Sequence, residues 1–109
     1  MRVLMKVELP VEAGNAAIME GTLPKTIESI LQEQNPEAAY FFASNGKRAG
    51  FLFLDLKDPS QIPALVEPWF LAFNASIEIH PVMNREDLKK GGPGIDRAVK
   101  KYGQPQMAV

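Results

Sequence analysis

Asn45-Gly46 stands between two apolar runs, and this dipeptide constrains the fold more than any other feature of the chain. Both positions of a two-residue hairpin turn want positive φ, which Asn and Gly tolerate best. Residues 37–44 and 47–56 are therefore predicted as neighbouring antiparallel strands. In the first, Ala39, Phe41 and Ala43 alternate with Tyr40, Phe42 and Ser44. In the second, Phe51-Leu52-Phe53-Leu54 is apolar on both faces, the mark of a strand buried between two layers.

The remaining elements follow from periodicity. Residues 2–9 alternate, with Val3, Met5, Val7 and Leu9 on one face and Arg2, Lys6, Glu8 and Leu4 on the other. Residues 11–34 are predicted helical, in two pieces or as one long kinked helix. Leu23, Ile27, Ile30 and Leu31 form its apolar stripe, interrupted by Gly21 and Pro24, with Thr22 as a cap for the second piece. Asn35-Pro36 ends it. Asp58-Pro59-Ser60-Gln61 has the form of a helix start, followed by a stripe of Ile62, Leu65, Val66, Trp69 and Phe70. Pro68 is expected to kink or stop that helix near Glu67. Residues 75–82 form a fourth strand, with Ile77 and Ile79 opposite Glu78 and His80. Asn84 opens a charged segment, Gly91-Gly92-Pro93-Gly94 is expected to break it, residues 95–102 form a last helix, and residues 104–109 a frayed tail.

Strand, helix, strand, strand, helix, strand is the split βαβ order of a ferredoxin-like α+β fold. Residues 1–83 are assigned to that domain and residues 84–109 to a C-terminal helical extension. Both helices pack on one face of the sheet. The other face is expected to carry Leu4, Tyr40, Phe42, Leu52, Leu54 and Val82, a large apolar patch for a monomer. A second copy covering it gives a homodimer closed as a dimeric α/β barrel. The alternative is that the C-terminal segment folds back over its own sheet.

Composition narrows the function classes. The chain has 109 residues, the size of one domain. Twelve Lys+Arg against thirteen Asp+Glu give a formal charge of −1, without the basic stripe of a nucleic-acid binder. The absence of cysteine excludes disulfides, thiolate metal sites and thiol nucleophiles, and fits a cytoplasmic location. His80 is the one histidine, so a site needing two His ligands is excluded. No apolar run approaches membrane-spanning length and the charged N-terminal residues do not form a signal peptide. Neither a metal nor a cofactor is assigned; His80 as a haem ligand is weighed and set aside, because Pro81 follows it near a strand end.

The tracts Gly50-Phe51-Leu52-Phe53-Leu54-Asp55-Leu56, Pro63-Ala64-Leu65-Val66-Glu67-Pro68-Trp69-Phe70 and Ala75-Ser76-Ile77-Glu78-Ile79-His80-Pro81-Val82 resemble small bacterial dimeric α/β-barrel proteins of unknown function. More distantly they resemble muconolactone isomerase, in a Pro-Leu-Phe-type helix end followed by an Ile-Glu-Val-type strand. The resemblance spans roughly residues 1–90 and implies the barrel fold. Cofactor-independent monooxygenases and haem-degrading enzymes share that architecture, and architecture does not fix function.

Two groups of residues are candidates for chemistry. Lys6 and Glu8 on the first strand face Glu78 and His80 on the fourth if these strands are antiparallel neighbours. Glu78 and His80 then form an acid–base pair able to move a proton alpha to a carbonyl, with Lys6 orienting and Tyr40 donating. The structural alternative is a Lys6–Glu78 ion pair that sets register or a dimer contact. Trp69, Phe70 and Phe73, with Tyr40, are expected to line a pocket between the second helix and the sheet, or to be plain core. Arg48 is a candidate anchor for an anionic substrate, or an exposed strand-edge charge. The leading reading is a small protein that binds an apolar or aromatic molecule. The alternatives are a cofactor-independent isomerase or monooxygenase, and a regulatory dimer without chemistry.

Overall fold

The computed structural model describes residues 1–103; the tail expected at 104–109 lies outside the described residues. Its elements are β1 (Arg2–Glu8), α1 (Val11–Met19), α2 (Leu23–Gln34), β2 (Ala38–Ser44), β3 (Lys47–Asp55), α3 (Ile62–Phe73), β4 (Ser76–Pro81), α4 (Arg85–Lys90) and α5 (Gly92–Tyr102). The strands form one antiparallel sheet in the order β2-β3-β1-β4. This is the ferredoxin-like arrangement.

The Asn45-Gly46 turn takes positive φ at both residues, 55° and 72°, and pairs Ser44 with Lys47. That register decides which side of β3 faces which layer. Met5 lies opposite Leu52 and Val3 opposite Leu54, all four buried under the helices. Leu52 and Leu54 are therefore core residues, not part of the second face as expected. Phe51 and Phe53 take their place there, opposite Tyr40 and Ala38. The Phe51 and Phe42 rings lie 4.6 Å apart.

The helical stretch before β2 is two helices rather than one. Gly21 adopts φ +75° between them, a left-handed conformation open to glycine. Leu23 and Ile30 of α2 are buried, with Ile27 and Leu31 packed at the margin of the core. Asn35 and Asn74 close α2 and α3 in the left-handed conformation. Before α3, the Asp58 carboxylate accepts from the Ser60 N–H at 2.8 Å. The Gln61 side-chain oxygen accepts from the Lys57 and Asp58 N–H groups.

Pro68 does not end α3, which continues to Phe73. A proline here has no N–H to return to the carbonyl of Ala64, and its ring crowds that carbonyl. Gln34, the last residue of α2, brings a side-chain donor to this turn. Its Nε2 donates to the carbonyl of Leu65 at 2.9 Å and reaches that of Ala64 at 3.5 Å. Its Oε1 accepts from Trp69 Nε1 at 3.4 Å. One amide thus satisfies the disturbed turn and the indole of a buried tryptophan, and ties α2 to α3. The backbone groups that Pro68 was expected to leave for a ligand are taken.

The C-terminal helices depart further from expectation. The glycines do not break the chain: α5 begins at Gly92, directly after α4, with Pro93 in its first turn where no N–H is needed. Asn84 and Asp87 cap α4 reciprocally, at 2.8 and 3.0 Å. Neither helix buries a residue, and the substantial contacts of α5 are with α4 alone. Among the described residues, α4 and α5 do not fold back over the sheet. The radius of gyration is 19.3 Å, well above the ~13 Å of a compact domain of about 100 residues. No helix among the described residues is long and apolar enough to cross a membrane.

Candidate functional site

The helix–sheet layer contains a cavity of about 350 Å³ near the β2 edge. Its floor is Val7, Leu52, Ala49 and Gly50; its roof is Leu9, Leu23, Ile27 and Trp69; Phe41 and Phe42 flank it. Arg48 is the one charged residue in the lining. Two glycines set how Phe41 and Arg48 lie beside it. A Cβ at Gly50 would meet the Phe41 ring at 3.1 Å, so the ring lies on β3 because position 50 has no side chain. A Cβ at Gly14, on α1, would meet Arg48 Nη1 at 2.6 Å. Arg48 therefore lies against α1, half-buried, on the side of the sheet that holds the helices. It is not a solvated edge charge. It makes no ion pair among the described residues.

Of the residues expected around this pocket, only Trp69 and Arg48 line it. Phe73 is core, 6.2 Å from Trp69 between ring centroids. Phe70 points away and is partly exposed, because Pro68 does not stop the helix and the buried stripe runs through Leu65, Val66, Trp69 and Phe73. Tyr40 is on the opposite face of the sheet, paired with Phe51.

The polar group on the bare face is assembled differently from expectation. Lys6 does stand opposite Glu78 in the β1–β4 register. Its ammonium, however, pairs along its own strand with Glu8 at 3.0 Å. That hydrogen bond is the main reason the Glu8 carboxyl sits below the usual carboxylate range, with desolvation opposing and Asn45 and Ser44 helping. Glu78 instead meets His80 at 3.4 Å, two residues along β4. Both are more than half exposed, at 66% and 58% of the side chain. Tyr40 is on β2, three strands from β4, about 14 Å away at ~4.8 Å per strand. A single chain does not bring Tyr40 to the other three. The hollow beside Lys6, Glu8 and Glu78 holds about 190 Å³, below the ~300 Å³ of an ordinary small-molecule site.

A larger hollow, about 620 Å³, opens where α4 leaves the sheet. Four of its five charged groups are already paired, and the fifth, Asp87, caps α4. Arg2 forms a two-pronged bond to Glu37 at 2.9 Å, and the N-terminal ammonium meets Asp55 at 3.1 Å. The Arg2 bond holds Glu37 below the usual range, and Asp55 is held below it mainly by a Lys57 hydrogen bond, with the N-terminal ammonium adding to it. Among the described residues no cluster of His, Asp and Glu is placed to hold a metal.

No protein-family model matches the sequence, and no curated protein matches it. Among solved structures, a formyltetrahydrofolate deformylase from Pseudomonas putida KT2440 is similar over 78% of this chain and 30% of that one. The identity is 15% and the TM-score 0.47. The chain thus spans less than a third of that enzyme's length.

Sequence reasoning did not find Gly14, Gly50 or Phe41 as parts of a site. A signal for two of them was present. A two-residue hairpin at Asn45-Gly46 pairs 44 with 47, and so 43 with 48 and 41 with 50. That places Arg48 and Gly50 on the face of Phe41. Nothing in the sequence placed Gly14 beside Arg48, since that contact joins a helix to a strand.

Proposed function

We propose that this protein binds a small apolar or aromatic molecule carrying an anionic group, in the helix–sheet cavity, and acts as a cytoplasmic homodimer. The observation that carries the reading is a cavity of about 350 Å³ with an apolar lining and one cation, Arg48, that has no ion pair among the described residues. Small-molecule sites combine an apolar body with few convergent polar groups. A guanidinium recognises a carboxylate through two parallel N–H donors, and a low-dielectric wall strengthens that bond. The dimeric α/β-barrel resemblance supports the same reading but names no substrate.

Trp69 is the one tryptophan and lines the cavity, so its fluorescence reports occupancy. The test titrates phenylacetate and octanoate against their neutral amides. A charge-assisted hydrogen bond is worth about 1.5–3 kcal/mol, so the acids are expected to bind roughly ten- to a hundredfold tighter. Arg48→Gln removes the difference and leaves amide binding in place. Equal affinity for acid and amide in the native protein overturns the anionic part of the reading. No response from any of the four overturns the site.

A second reading keeps the acid–base chemistry of the bare face, on the strength of the 3.4 Å His80–Glu78 contact. It requires a second copy to bring Tyr40 and a desolvating wall. It predicts that His80→Ala abolishes turnover of an isomerase or monooxygenase substrate and leaves the dimer intact. A dimer with regulatory contacts and no turnover is the third class.

A further inference from the structure

Charge is divided unevenly along this chain. Residues 85–102 hold six of the twelve Lys+Arg and three of the thirteen Asp+Glu, a net of +3. The sheet with its connecting loops is balanced, five against five. The helix layer of α1, α2 and α3, with the turn between α1 and α2, holds Glu12, Glu20, Glu28, Glu33 and Glu67 against Lys25, a net of −4. All five of those glutamates are exposed. The same layer exposes large apolar side chains, with Met19 at 85% and Leu71 at 81%.

The basic segment is also amphipathic. Ile95, Val99 and Tyr102 fall at i, i+4 and i+7 of α5, with Leu88 on α4, and all four are more than half exposed. A helix with such a stripe and no partner is stable only where the stripe is covered. Among the described residues, nothing in its own chain covers it.

We infer that α4 and α5 form an arm that docks on the acidic helix layer of a second copy of this chain, the two copies exchanging arms about a two-fold axis. Three observations favour a second copy over an unrelated partner. The arm and the helix layer are complementary in charge and both expose apolar side chains. The bare sheet face carries Leu4, Tyr40, Phe42, Phe51 and Phe53, and its Lys6 and Glu8 offset each other, so it is suited to meet itself. Its area, about six residues by four strands, is roughly 400 Å². A standard interface buries ~800 Å² of accessible surface per partner, and a sheet-to-sheet contact of this small footprint is enlarged by any further contact between the copies. Each chain both gives and receives an arm, so the exchange adds two such contacts to the dimer. The reach is adequate: eighteen helical residues span about 27 Å. Two layers of packing, sheet on sheet and helix on sheet, put the partner's helices about 20 Å away.

This inference rests on the homodimer of the proposed function but not on its ligand. The test uses the full chain. The double variant Ile95→Glu, Val99→Glu changes exposed side chains that are not part of the core, so its fold should persist by circular dichroism. Its dimer dissociation constant, by analytical ultracentrifugation, is expected to rise roughly 100-fold. In a mixture of isotopically heavy and light protein, carbodiimide cross-links from Lys100 or Lys101 to Glu20 or Glu67 should join heavy to light chains in about half of cases, the statistical share for random pairing of copies in a two-fold dimer. Cross-links confined to one chain overturn the inference. So does a double variant that dimerises like the native protein, which would leave a sheet-to-sheet dimer standing. A monomeric native protein removes both the arm exchange and the dimer, while Trp69 fluorescence still reports on the cavity.

Discussion

Replacing Gln34 by Leu tests whether α3 survives its internal proline through a side chain of α2. The substitution keeps the bulk and removes the amide. It deletes the 2.9 Å bond to the Leu65 carbonyl and the 3.4 Å bond from Trp69 Nε1. Trp69 is 1% exposed, so its indole N–H finds no water in exchange. Each net hydrogen bond is worth about 0.5–1.5 kcal/mol, and a stranded buried donor adds to the loss, giving about 2 kcal/mol in total. For a domain of this size that is a fall in Tm of about 10 °C. The decisive measurement is a double-mutant cycle with Pro68→Ala. That second substitution restores an N–H for the Ala64 carbonyl, so the amide matters less beside it. Urea denaturation followed by Trp69 fluorescence should give Gln34→Leu a cost about 1 kcal/mol smaller in the Pro68→Ala background. Equal costs in both backgrounds would show that Gln34 does not compensate Pro68. A cost below about 0.5 kcal/mol in the native background would show that the bonds contribute nothing.

Other expectations follow from the same geometry. Gly14→Ala should raise stability by up to about 1 kcal/mol, since glycine is unfavourable inside a helix, yet weaken acid binding, since the new Cβ displaces Arg48 Nη1; thermal unfolding and the fluorescence titration read the two effects separately. Glu8, Glu37 and Asp55 have carboxyls below the usual range. Their contribution is therefore present above the unfolded-state values near pH 4 and is lost as pH falls through the lower folded values. Tm should be flat from pH 7 to about 5 and fall below about 4, and Glu8→Gln should make the acid limb shallower; an unchanged limb contradicts the Lys6–Glu8 assignment. Gly50→Val should push the Phe41 ring off β3 and narrow the cavity. Loss of octanoate binding with the dimer retained is the expected result, checked by fluorescence and sedimentation. His80→Ala should leave stability within about 0.5 kcal/mol, because the ring is exposed and its side-chain hydrogen bonding among the described residues is a 3.4 Å pairing with Glu78.

By itself the sequence determined the element types, their order and hence the ferredoxin-like fold. Those depend on local physics: period-2 and period-3.6 apolar patterns, Asn-Gly at the hairpin, and the Asp58–Gln61 helix start. It also specified the face of β1, because alternation there is strict. Tertiary structure decided what happens where two patterns compete. Both faces of Phe51-Leu52-Phe53-Leu54 are apolar, so only pairing with β1 and β2 tells which pair is core. Pro68 breaks an isolated helix, but a donor from another helix overrides that local penalty. Lys6 stands opposite Glu78 and still pairs with Glu8, since a long flexible side chain follows the nearest charge and not the backbone register. The cavity beside Arg48 belongs to the same class. Two glycines distant in sequence, Gly14 and Gly50, let Arg48 lie against α1 and the Phe41 ring lie on β3, and periodicity along one chain carries no record of what meets across layers.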